Sequence, residues 1–238
     1  MKLVYLGAIS TSIVLILGMA MVVPAFMFPT TTDSEKLKVL VQLEIKENSN
    51  LPYWCSDFRE KLEQNPIKSV VFLTGKIAEN YPECIFLVEG VDIGSQGYQY
   101  RHIPEITDYL QQLSQIQNGK RAIEAYGGVD SKLFKAPYGE TDQNIYSLLT
   151  RSGILGDFSS EEQYNLYLDG QFVKYELLTI ENVIELESKN GNQIATFSFD
   201  NSKSVNSIFN TIDEIRRHDV QFVNPSDLYG KPLTTRVQ

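Results

Sequence analysis

Val70-Val71-Phe72-Leu73-Thr74-Gly75-Lys76-Ile77-Ala78-Glu79-Asn80-Tyr81-Pro82 packs two element types into thirteen residues. Val70 to Leu73 is a short apolar, β-branched run that stops at Thr74-Gly75, which predicts a buried strand. Ile77 to Tyr81 follows as a helical turn closed by Pro82. The alternation continues in both directions. Upstream, Lys38 to Glu44 predicts a first strand and Leu51 to Leu62 a helix, with Pro52 suited to its first turn. Downstream, residues 85–93 contain another strand. In Ile106 to Ala125, the residues Ile106, Leu110, Leu113, Ile116 and Ile123 recur at helical spacing, ended by Gly127-Gly128. Lys132 to Lys135, Ile154 to Phe158, Ile194 to Phe199 and Val220 to Val223 predict further strands, and Gln143 to Arg151 and Val205 to Arg217 further helices. Strands alternating with helices imply a parallel sheet and an α/β fold.

The 238-residue chain is 42% hydrophobic and 21% charged, with a net charge of −9. Lys2 is the sole charge before Asp33, so the remainder carries −10. A domain this acidic repels phosphate backbones, which excludes nucleic acid as a partner. From Leu3 to Phe28 the chain is uncharged and mostly apolar. About 20 such residues span a bilayer core. With Lys2 before the run and Asp33 and Glu35 after it, the remainder is expected outside the cytoplasm. Residues 1–30 therefore read as one transmembrane anchor, or as a signal peptide cleaved near Val23-Pro24-Ala25. Residues 31–37 read as a linker, 38–230 as the domain and 231–238 as a tail. Cys55 and Cys84 fit no zinc spacing; they are two buried thiols or, in an oxidising compartment, one disulfide.

Three ordered stretches resemble the polysaccharide deacetylase (NodB-homology, carbohydrate esterase) family. Val71 to Pro82 is similar to its strand followed by T-G-K and Y-P. Asp92-Ile93-Gly94-Ser95-Gln96-Gly97-Tyr98-Gln99-Tyr100 is similar to its E-I-G-S-H-x-Y-x-H. Phe134-Lys135-Ala136-Pro137-Tyr138-Gly139 is similar to its F-R-x-P-Y-G. The closing Asp219 to Leu228 also resembles the family. The resemblance implies a distorted (β/α) barrel, usually of seven strands, with a sugar groove at the C-terminal strand ends. It also puts Cys55 and Cys84 near the same barrel end, which implies that they are bridged.

The family's chemistry implies a divalent metal such as zinc, held by one Asp and two His, to polarise a carbonyl and activate a water. A second Asp is the base, an Arg orients it, and a late His protonates the leaving amine. Carried onto this chain, the two His positions are Gln96 and Tyr100, and the metal-binding Asp is Ile45. Glu44 stands at the base, Lys135 at the Arg and Phe199 at the late His. Amide and phenol are poor zinc ligands, so no cofactor is expected and Glu44, Lys135 and Phe199 are vestigial catalytic positions. Gln96, Tyr98, Tyr100, Pro137 and Tyr138 are expected to line the groove. Glu44 and Lys135 are expected to pair across its floor. His102, with Asp92, Glu105 and Asp142 nearby in sequence, is either a loop histidine or part of a rebuilt metal site. These residues imply a membrane-anchored, extracytoplasmic, catalytically inactive domain that binds cell-surface glycan or an envelope protein. The alternative is an active hydrolase that removes N-acetyl groups with an altered site.

Overall fold

The computed structural model describes residues 36–168, 171–181, 183–188 and 194–237. The expected anchor or signal segment lies outside them. No helix among the described residues is long and apolar enough to cross a membrane.

The chain runs β1 (Leu37–Ile45), α1 (Leu51–Gln64), β2 (Ser69–Leu73), α2 (Gly75–Asn80), β3 (Val91–Ser95), α3 (Tyr109–Gly127), β4 (Val129–Ser131), β5 (Leu133–Phe134), α4 (Gln143–Arg151), β6 (Gly156–Asp157), β7 (Gln163–Leu168), β8 (Gln171–Thr179), β9 (Ile194–Asp200), α5 (Val205–Ile215), β10 (Val220–Val223), α6 (Pro225–Tyr229) and β11 (Thr234–Arg236). β1, β2, β3, β5, β6, β7, β8 and β9 pair in that order, and β9 pairs back onto β1, closing a ring of eight. All these pairings are parallel except the two made by β7. One edge of β1 is shared: Leu37–Leu40 pair with β10 and Gln42–Ile45 with β2. The ring is a distorted α/β barrel, with one more strand than the resemblance implies. The β7–β8 hairpin supplies the antiparallel pairings that the alternation along the chain did not predict.

Alternation along the strands sorts the core into layers. Val39, Val41, Leu43 and Ile45 face outward into a cluster under the helices with Phe58, Ile93, Phe197 and Ile212. Leu40, Val70, Phe72, Leu133, Phe158 and Tyr164 fill the interior. Tyr164 lies in a stack, 4.7 Å from the Phe158 ring and 4.8 Å from Tyr175. α3 starts at Tyr109, three residues later than its apolar period suggests, because Asp108 caps it by accepting a bond from the Gln111 N–H at 2.8 Å. Leu110 is consequently 69% exposed, while Leu113, Ile116 and Ile123 are buried. The third strand also falls later than expected, at Val91–Ser95.

Cys55 in α1 and Cys84 in the turn after α2 form the expected disulfide, wholly buried. Elsewhere α3 passes close against the loop that follows β3. A Cβ on Gly119, inside α3, would stand 2.3 Å from the carbonyl carbon and 2.5 Å from the oxygen of Gly97. Gly119→Ala should therefore destabilise the domain by about 2 kcal/mol despite alanine's better helix propensity. Urea unfolding checks this, and a neutral or stabilising substitution would contradict the packing described.

Candidate functional site

The C-terminal ends of β1, β3 and β5 and the loop after β6 meet at one mouth of the barrel. There they border a groove of about 510 Å³ lined by Glu44, Lys46, Tyr100, Lys135, Tyr138 and the Ser159–Glu162 loop, among others. Its floor is a charged network. Lys135 Nζ lies 2.7 Å from Glu44 Oε1 and donates to Gln42 Oε1 at 3.3 Å. Gln96 Nε2 donates to Glu44 Oε2 at 3.4 Å. Lys46 Nζ stands 3.9 Å from Glu44 Oε2 and 3.0 Å from Asp200 Oδ2. Burial works against the charged form of Lys46, but the bond to Asp200 and the Glu44 charge outweigh it and raise its pKa. Burial likewise works to raise the Asp200 carboxyl, yet bonds from Ser202 and Lys46 hold it below the usual range.

Strand parity puts Gln42 and Glu44 on the inner face, beside inward-facing Leu40. Gln96 is wholly buried, and its Oε1 has no hydrogen-bond partner. The tyrosines form the wall. Tyr138 is 63% exposed, its ring set edge-on to Tyr100 at 5.1 Å. Its φ of +64° is the left-handed conformation that a non-glycine residue rarely adopts. The turn carrying it, with buried Pro137, is moored from behind: Ala136 N–H donates to Ser159 Oγ at 2.8 Å, and Ser159 in turn bonds buried Asp157. Burial pushes the Asp157 carboxyl up. Burial, followed by the charge of Glu44, also pushes the Tyr100 phenol up, so it stays neutral.

Of the residues expected here, Glu44, Gln96, Tyr100, Lys135, Pro137 and Tyr138 do converge, and the Glu44–Lys135 pair forms. Three expected residues do not. Tyr98 lies against α2 and donates its hydroxyl to Glu79 Oε2 at 2.8 Å. Phe199 faces outward into the apolar layer, with the Lys203 ammonium 5.3 Å from its ring centre. The β9 residue at the mouth is Asp200, of opposite parity, which bonds Lys46. Ile45 is wholly buried in the same outer layer, so Ile45→Asp would place a carboxylate in the core, not in the groove. Asp92 is held at the opposite end by Ser226, whose N–H and Oγ both lie 2.7 Å from its carboxylate, and Asp142 caps α4. Lys46, Asp200, Ser159 and Asp157 were missing from the sequence reading. The signal for Lys46 was strand parity: it follows Gln42 and Glu44 at intervals of two.

Residues 50–155 match the family model described as polysaccharide deacetylase. Over those residues the chain is similar to the polysaccharide deacetylase family. The barrel is shared by solved structures of low identity. A family 4 carbohydrate esterase from Streptomyces lividans superposes with a TM-score of 0.57 at 17% identity, covering 79% of this chain and 92% of that one. A structure described as a polysaccharide deacetylase from Mycobacterium smegmatis gives 0.63 at 14%, covering 88% and 97%. A carbohydrate esterase family 4 pseudoenzyme from Bacillus anthracis gives 0.58 at 13%, covering 82% and 66%.

The residues at this mouth do not fit the divalent metal that the family implies. Ile45 faces away, Gln96 is bonded to Glu44, and Tyr100 is held neutral. Among the described residues no group of three His, Cys, Asp or Glu side chains is placed to hold a metal. Glu44 and Asp200, the carboxylates of the floor, are already matched by two ammonium groups.

A second groove, of about 770 Å³, adjoins the first across Tyr100 and Tyr138 and includes Arg101, His102, Glu105 and Glu140. His102 Nδ1 lies 3.0 Å from Glu105 and Nε2 lies 2.6 Å from Glu140. Only the imidazolium donates from both nitrogens. The bonds to Glu105 and Glu140 accordingly raise the His102 pKa. The sign follows: the tie between the two loops is complete below the ordinary histidine value, about 6.5, and is lost as pH rises through the raised folded value. An NMR titration should place the His102 midpoint above about 6.5, and Glu140→Gln should move it down. A midpoint that ignores Glu140 would refute the tie.

Proposed function

We propose that this is a catalytically inactive, glycan-binding member of the family, held at the outer face of the cell membrane by Leu3–Phe28. The observation that carries this reading is the floor of the groove. Two lysines neutralise its carboxylates, and an amide and a neutral phenol stand at the positions matched to metal-binding histidines. What remains is a cleft with an exposed tyrosine wall and a hydrogen-bonding floor, the mixture of flat apolar faces and placed polar groups that suits a sugar. That inactive relatives exist on this barrel is consistent with the reading, since the Bacillus anthracis neighbour is described as a pseudoenzyme. The buried disulfide suits an oxidising compartment.

The full chain in detergent is expected to carry no stoichiometric zinc by elemental analysis and to release no acetate from N-acetylglucosamine polymers. It should be retained on immobilised cell-wall glycan, and Tyr138→Ala should weaken retention several-fold. Stoichiometric metal or released acetate would overturn the inactive reading; failure of the unmodified chain to be retained would overturn glycan binding.

A further inference from the structure

The groove's charges divide unequally. Its cations are engaged: Lys135 is bonded to Glu44 and Gln42, and Lys46 is paired with Asp200. Its unengaged charges are carboxylates. Glu161 and Glu162 are exposed on the rim. Their backbones are tied to β8: the Thr179 hydroxyl donates to the Glu161 carbonyl at 2.9 Å and the Leu177 N–H to that of Glu162 at 2.8 Å. The guanidinium of Arg101 borders the neighbouring groove instead. In the floor, one hydrogen bond away from Glu44, the wholly buried Gln96 side chain keeps an acceptor, Oε1, with no partner. The rim is thus short of both donors and positive charge, above a floor whose buried amide also lacks a donor.

We propose that the glycan taken by this groove is an amino-sugar polymer bearing free amines, the product of N-deacetylation rather than its substrate. This rests on the glycan-binding reading above and sharpens it. Ammonium groups along such a polymer supply both donors and positive charge to the Glu161–Glu162 rim, while the sugar rings lie against Tyr138 and Tyr100. An N-acetylated polymer offers neutral amides and leaves the rim carboxylates unmatched. The reaction supplying this ligand is therefore an amide hydrolysis on the polymer, carried out by another protein.

The experiment is calorimetric titration of the full chain in detergent with glucosamine and N-acetylglucosamine oligomers of equal length, with a lysine oligomer as charge control. The glucosamine oligomer is expected to bind about tenfold tighter than the acetylated one. The preference should shrink as salt rises and the Debye length shortens, and Glu161→Gln with Glu162→Gln should abolish most of it. Tyr138→Ala should weaken both sugars alike. Equal binding of the two sugars would overturn this inference and leave glycan binding standing. Binding of neither would overturn both. A lysine oligomer that binds as well as the glucosamine oligomer would show charge attraction without sugar recognition, and would overturn it too.

Discussion

Lys135→Ala is expected to destabilise the domain by about 3 kcal/mol, because it strands a mostly covered carboxylate on the barrel floor. The Lys135 side chain is 8% exposed and Glu44 17%. Removing the ammonium takes away the contact at 2.7 Å and the donor to Gln42. Lys46, 3.9 Å from the other carboxylate oxygen, offsets part of the loss, which keeps the figure at the low end for a broken buried pair. The double variant Lys135→Met with Glu44→Gln removes both charges and should return to within about 1 kcal/mol of the parent. Urea unfolding of the two single variants and the double one gives the coupling. A Lys135→Ala loss below about 0.5 kcal/mol would mean that solvent, not Lys135, neutralises Glu44.

The bridge between Cys55 and Cys84 should matter as much. It spans 29 positions, for which loop-closure entropy gives about 3.5 kcal/mol. Cys55→Ala with Cys84→Ala should lower the melting temperature by roughly 10 °C. Both sulfurs are fully buried against α1 and α2, so lost packing adds to the entropy. Calorimetry checks this; identical melting of parent and double variant would show that the link contributes nothing.

The elements that the sequence foretold best are those whose pattern has one cause. Val220–Val223 and Gln143–Arg151 fall where apolar period and stop signals place them. The mouth was legible only where a motif marked it, at Glu44, Gln96, Tyr100, Lys135, Pro137 and Tyr138. Ile45 and Phe199 were misplaced because a motif alignment carries no parity. One step along a strand moves a side chain from groove to core, and the register Leu43↔Phe199, Glu44↔Asp200 fixes which is which. The β7–β8 hairpin was missed although Asp169-Gly170 stands between two alternating runs, a strong hairpin signal. Asp157 and Ser159 could not have been found, since their role depends on a turn that lies twenty residues earlier in the chain.

The closure of β9 onto β1 has a kinetic consequence. It joins the two ends of the domain: the side chain of Asn201 bonds the backbone N–H and carbonyl of Lys46 across a separation of 155 residues, both at 2.8 Å. Contacts so distant in sequence are slow to form, because most of the chain must be ordered before they repay the cost of bringing its ends together. The same seam carries the Lys46–Asp200 pair at the groove floor. The groove is thus a late product of folding, assembled only after the chain has emerged through Asn201, and a nascent or truncated domain lacks it.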